Sequence, residues 1–127
     1  MNTQQFQAVV NAAIATFEVG GLDLYGDHGP CHWARVYQFG ALLAEAEKAD
    51  PVVCGLFAVI HDCCREAEVE DPDHGLRAAE LTLKWGSTHL SGLSSCQRVN
   101  LYIACLWHSG RPKGSKIKYA RTAWDEK

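Results

Sequence analysis

The 127-residue chain contains no uninterrupted apolar stretch of the roughly 20 residues that a membrane-crossing helix requires. Its first 17 residues lack a basic stretch leading into a continuous apolar one, as a secretory leader would have. A cytoplasmic protein with no membrane partner is therefore expected. None of the six cysteines (Cys31, Cys54, Cys63, Cys64, Cys96 and Cys105) has C-x-x-C spacing, and four lie within helical apolar patterns. They are expected to be buried free thiols in a reducing compartment. Basic charge is scarce over residues 1–110, with 6 Lys or Arg against 13 Asp or Glu. An extended nucleic-acid surface needs several phosphate-neutralising cations, so that partner is not expected. The chain also lacks an internal repeat, a low-complexity tract and a credible run of alternating strands.

What is present is enough for a single folded domain. Hydrophobic residues make up 47% and charged residues 21% of the sequence, near globular averages, and the length allows a genuine core. The formal net charge of -3 divides unevenly, because residues 111–127 hold 6 basic and 2 acidic side chains. That basic tail remains able to contact an anion.

Apolar periodicity and capping residues predict an all-α bundle of about five to six helices. Phe6, Val9, Val10, Ala13, Ile14 and Phe17 recur at helical spacing over residues 3–18, before the glycines at 20 and 21. Pro30 is placed to open a second helix reaching about residue 48, with Val36, Phe39, Gly40 and Leu43 as its buried stripe. Asp50 and Pro51 form an N-cap and first-turn pair for a third helix, apolar on every side and thus expected at the centre. Asp73 is expected to cap a fourth helix ending near Gly86, and Ser94 or Ser95 a fifth. Val99, Leu101, Ile103, Ala104, Leu106 and Trp107 are its expected core side chains, and residues 117–126 allow a short final helix.

Histidines and a carboxylate stand where apolar faces end. His61-Asp62 terminates the most apolar helix, where a carboxylate needs a partner, a hydrogen bond or a cation if it is buried. Solvation at the helix end is the plainer alternative. His32 continues the Val36, Phe39, Leu43 stripe, His28 lies four residues earlier, and His108 ends the stripe of Leu101, Ala104 and Cys105. Neutral imidazoles and carboxylates suit first-row divalent metals, so these convergent ends are a candidate metal site.

The segments His28-Gly29-Pro30-Cys31-His32-Trp33-Ala34-Arg35-Val36, His61-Asp62-Cys63-Cys64-Arg65-Glu66 and Asp71-Pro72-Asp73-His74-Gly75 occur in that order. The pattern resembles the small stand-alone HD-domain proteins related to metal-dependent phosphohydrolases. The resemblance spans residues 25–110, preceded by a helix and loop over 1–24 and followed by the basic segment 111–127. It implies His32, His61 and Asp62 as metal ligands, with Asp125 matching the family's fourth ligand. His28, His74 and His108 then become candidates for a second metal or for substrate contact, a single-metal site being the default expectation.

The resemblance implies hydrolysis of a phosphate ester, either a nucleotide or another small phosphorylated metabolite. The metal would be Mn, Fe, Co, Ni or Mg. Arg65 is the expected phosphate-binding guanidinium, and Glu66 or a non-ligating histidine the acid or base. Lys113, Lys116 and Lys118 would extend an anion-attracting rim, unless they are simply solvated. His89 is expected to be a loop residue outside the site. Two alternatives stand beside hydrolysis: an HD-type di-iron oxygenase, which needs His74 and His108 as ligands, and a non-catalytic metal- or nucleotide-binding module. A homodimer in which a partner chain completes the site is also allowed.

Overall fold

The computed structural model describes residues 1–19 and 23–109. Among these the secondary structure is entirely helical: α1 (Thr3–Thr16), α2 (Pro30–Glu47), α3 (Pro51–Ile60), α4 (His74–Lys84) and α5 (Ser95–Trp107), with a 3-10 turn at Trp85–Ser87. The expected all-α bundle is thus observed, while the helix expected over 117–126 lies outside the described residues.

The caps explain the boundaries. Asn2 and Gln5 form a reciprocal capping box at α1, and Ser94 and Gln97 form another at α5. Asp50 accepts a 2.9 Å hydrogen bond from the Val52 amide, with Pro51 in the first turn of α3. Asp73 precedes α4 as expected, but its side chain makes no capping bond. The α2 helix stops at Lys48, which adopts a left-handed φ of 55° and returns its amide to the Ala44 carbonyl.

α3 is the axis of the bundle, packed against α1, α2 and α5, while α4 packs against α5. Val53, Leu56, Ala58 and Ile60 have almost no exposed surface, as the all-round apolar pattern requires. Gly55 permits this central position, since a Cβ there would lie 3.1 Å from Val9 and 3.2 Å from Tyr37.

The outer helices turn differently from the sequence reading. In α2 only Gly40 of the expected stripe is buried; Val36 is partly covered, Phe39 is 66% exposed and Leu43 51% exposed. The face against α3 instead carries Trp33, Tyr37, Gly40 and Ala44, whose small members allow close approach. In α1 the buried residues are Val9, Ala12, Ala15 and Thr16, leaving Phe6, Ile14 and Phe17 largely exposed. Val99 of α5 is likewise exposed. The cysteines are free thiols, but the expectation of burial fails for Cys31 and Cys96, which are exposed. No helix among the described residues is long and apolar enough to cross a membrane.

Candidate metal centre

Four helix ends meet at one carboxylate. His32 lies in the first turn of α2, His61 caps the C-terminus of α3, His74 opens α4, and His108 caps the C-terminus of α5. Asp62, in the turn after α3, is buried among them. Its Oδ2 lies 3.1 Å from His32 Nε2 and 3.0 Å from His61 Nε2. Its Oδ1 lies 3.2 Å from His74 Nε2 and 3.5 Å from His108 Nε2. The carboxylate therefore belongs to two groups, one with His32 and His61 and one with His74 and His108, each able to hold a metal ion.

Gly75 brings the second pair together. A Cβ at that position would overlap Ser109 Oγ and sit 2.7 Å from the Cys105 carbonyl oxygen, so only glycine lets α4 close on the end of α5. His74 and His108 Nε2 are consequently 2.9 Å apart.

The ring hydrogens define what these nitrogens are. His61 Nδ1 lies 3.0 and 3.1 Å from the Phe57 and Ala58 carbonyl oxygens, and His108 Nδ1 lies 2.7 Å from that of Cys105. His74 Nδ1 bonds the Asp71 carbonyl. Carbonyls only accept, so each Nδ1 carries a hydrogen and Nε2 is the ring nitrogen turned inward; once a ring is neutral, that nitrogen offers a lone pair. The Nε2 atoms of His74 and His108 face each other at 2.9 Å, and His61 Nε2 lies 3.3 Å from that of His32. A proton or a metal ion shared between two such nitrogens reconciles their close approach.

Burial works against a proton on His32 and His74. Burial, then repulsion from His61, holds His32 below the ordinary imidazole value despite the pull of Asp62. Burial likewise lowers His74, over the opposing bond to Asp71 and with repulsion from His108. Burial alone would raise the Asp62 carboxyl, but hydrogen bonds from His108 and His61 hold it well below the usual range. Imidazoles, once neutral, around an ionised carboxylate are the donor set a first-row divalent ion takes. Donors 3.0–3.2 Å apart also fit two ligands at about a right angle around an ion with bonds of about 2.1 Å. The Nδ1 bonds to backbone carbonyls are the outer support that metal-ligating histidines normally show.

The centre forms the floor of an open pocket of about 660 Å³, whose walls include His28, Arg65, Glu70, Asp71, Pro72 and Ser109. Arg65 is largely committed to structure: its Nε donates to Asp62 Oδ1 at 3.3 Å, and its Nη1 donates to the Ala67 and Val69 carbonyls. Only its Nη2 lacks a hydrogen bond among the described residues. Glu66 does not line the pocket. It is exposed, with its carboxylate 3.8 Å from Arg77 and its amide bonded to Asp71. Of the two acid-base candidates, Glu66 or a non-ligating histidine, Glu66 thus stands outside the pocket.

His28 does line the pocket, its ring centre 5.7 Å from that of His32. Its Nδ1 is held 2.7 Å from Glu68 Oε2. Glu68 was not legible as a site residue, since it lies in an acidic loop and meets His28 only through a contact 40 positions away in sequence. Arg77 was also missed; it clamps Asp71 and the Cys64 carbonyl, tying the loop after Asp62 to α4. His89 is exposed against Trp85, outside the site as expected. Asp125, Lys113, Lys116 and Lys118 lie outside the described residues. No protein-family model, curated protein or solved structure matches this chain.

Proposed function

We propose that the protein is an HD-domain-like, metal-dependent phosphohydrolase acting on a nucleotide or another small phosphate ester. The observation that carries the reading is the division of Asp62 between two histidine pairs at the floor of an open pocket. His32, His61 and Asp62 would hold one divalent ion, and Asp62, His74 and His108 a second. Such ions supply a bound water of lowered pKa and withdraw charge from a phosphoryl oxygen.

The chain's own groups supply the rest. Arg65 Nη2 donates to a phosphoryl oxygen while its other nitrogens keep the guanidinium fixed. His28 takes the acid-base role expected of a non-ligating histidine, with Glu68 fixing its ring through Nδ1 and leaving Nε2 for the proton. Mn, Fe, Co, Ni and Mg are the candidate ions, imidazole donors favouring a transition metal.

The same shared carboxylate supports a second reading, a di-iron oxygenase, because His74 and His108 stand as a full second donor pair. The two readings separate in one experiment. Purified protein loaded with each ion in turn is given a panel of phosphorylated metabolites, and oxygen uptake is followed in parallel. Phosphate release that disappears in Asp62→Ala supports hydrolysis. Iron-dependent oxygen consumption without phosphate release supports the oxygenase, and metal binding with neither activity leaves a binding module.

A further inference from the structure

The peptide that presents Asp62 continues directly into two thiols. Cys63 Sγ and Cys64 Sγ are 3.7 Å apart, although adjacent side chains on a regular helix point about 100° away from one another. The chain has left α3 here and turns tightly: the Cys63 amide bonds the Ile60 carbonyl at 3.0 Å, and the Arg65 amide bonds that of Asp62 at 3.2 Å. This turn folds the two sulfurs to the same side. Cys63 is buried, Cys64 is half-buried, and the Cys64 carbonyl is held by Arg77. The pair has no role in the metal chemistry described above, yet it is covalently next to the carboxylate on which both ligand groups depend.

We infer that Cys63 and Cys64 form a redox-modification site, at which a small-molecule disulfide such as oxidised glutathione closes them into a vicinal disulfide and loosens the metal centre. The metal part of this inference rests on the two-ion reading of the site, not on hydrolysis. In the first step the more accessible Cys64 sulfur, as thiolate, attacks one glutathione sulfur. The glutathione S–S bond breaks, a mixed disulfide forms and one glutathione thiolate leaves. The Cys63 sulfur, already at 3.7 Å, then attacks the Cys64 sulfur as its own proton is lost, and the second glutathione leaves. The cysteines lose two electrons and two protons; the glutathione disulfide gains both and becomes two thiols.

Adjacent Cα atoms are about 3.8 Å apart across a trans peptide, less than the roughly 4.4 Å at the short end for ordinary disulfides. Closure therefore requires the turn to change shape, and Asp62 is the first residue to be carried with it. A strained bond of this kind is also easily reduced, which makes the change reversible.

The test uses the full chain with the exposed thiols removed by Cys31→Ser and Cys96→Ser. The protein is incubated with oxidised glutathione, then followed by intact mass, by peptide mapping and by equilibrium dialysis against Mn2+. The expected result is loss of two hydrogens within the peptide holding Cys63 and Cys64, with Mn2+ affinity falling at least about tenfold and returning on reduction. In Cys64→Ser, and in Cys64→Ala as a second variant, Mn2+ binding persists and no longer responds to the oxidant. A stable glutathione adduct without closure, closure with unchanged Mn2+ binding, or no reaction would each overturn the inference. Reduced protein that never binds Mn2+ or another divalent ion sinks the two-ion reading instead, and the mass data then judge closure by themselves.

Discussion

The two halves of the candidate metal centre share a carboxylate but are not built alike. On one side, His74 and His108 each donate Nδ1–H to a carbonyl three residues earlier, and Gly75 locks the helices that carry them together. On the other, His61 is anchored in the same way, but His32 has a side chain 29% exposed and no hydrogen bond at Nδ1 among the described residues. A ligand whose ring is already fixed loses less freedom when an ion arrives. The His74–His108 side is thus the preorganised half, and the His32–His61 side the adaptable one facing the pocket and His28.

This difference can be broken from either side. The largest effect is expected for His108→Ala, which removes a fixed donor: bound metal falls from two ions per chain to one, read by elemental analysis of dialysed protein. Gly75→Ala should follow, because its methyl group must displace Ser109 or the Cys105 carbonyl. The expected outcome is at least about a tenfold loss of affinity at the second position, with about 1–3 kcal/mol of destabilisation in denaturant melts. Equal weakening of both positions by Gly75→Ala would show that the halves are not separately organised. His32→Ala should have a smaller effect, weakening one ion while the His74–His108 position keeps its own.

Acid gives the smallest and most graded effect. In the metal-free protein His32 and His74 are held below the ordinary value of 6.5, so below that pH the unfolded chain binds more protons than the folded one. Their contribution to stability is fully present above pH 6.5 and is lost as the pH falls from there through the folded values. Denaturant melts of the metal-free protein between neutral and mildly acid pH should show this decline, and His74→Gln should flatten it. A stability that rises on acidification would contradict the neutral assignment.

The sequence was most legible where one reading of a local signal was available. Asp50-Pro51 marks a helix start by side-chain chemistry alone, Ser94 is one of the two serines that stand as caps for α5, and α3 is apolar on every side, so its burial needs no choice of face. The α2 helix offered a choice. Its apolar arc is wide, and periodicity could not say that Trp33, Tyr37, Gly40 and Ala44 face α3 while Phe39 and Leu43 point away. For the site, His61 and His108 at the ends of buried faces pointed to convergence, which the structure has; His32 joins them although Phe39 and Leu43 of its expected stripe are exposed. How one carboxylate divides between two pairs depends on the approach of α4 to α5, a property of Gly75 packing that no local pattern encodes. The Glu68 contact to His28 was equally hidden, since it joins two loops distant in sequence.

The central claim is that Asp62 is common to two metal positions. It is tested most directly by counting ions in wild-type protein and Asp62→Ala after saturation with Mn2+ and removal of free metal, with circular dichroism confirming that the variant remains helical. The account predicts two ions per chain in the wild type and neither retained in the variant. A wild-type count of zero, or a folded Asp62→Ala that keeps both ions, would contradict it.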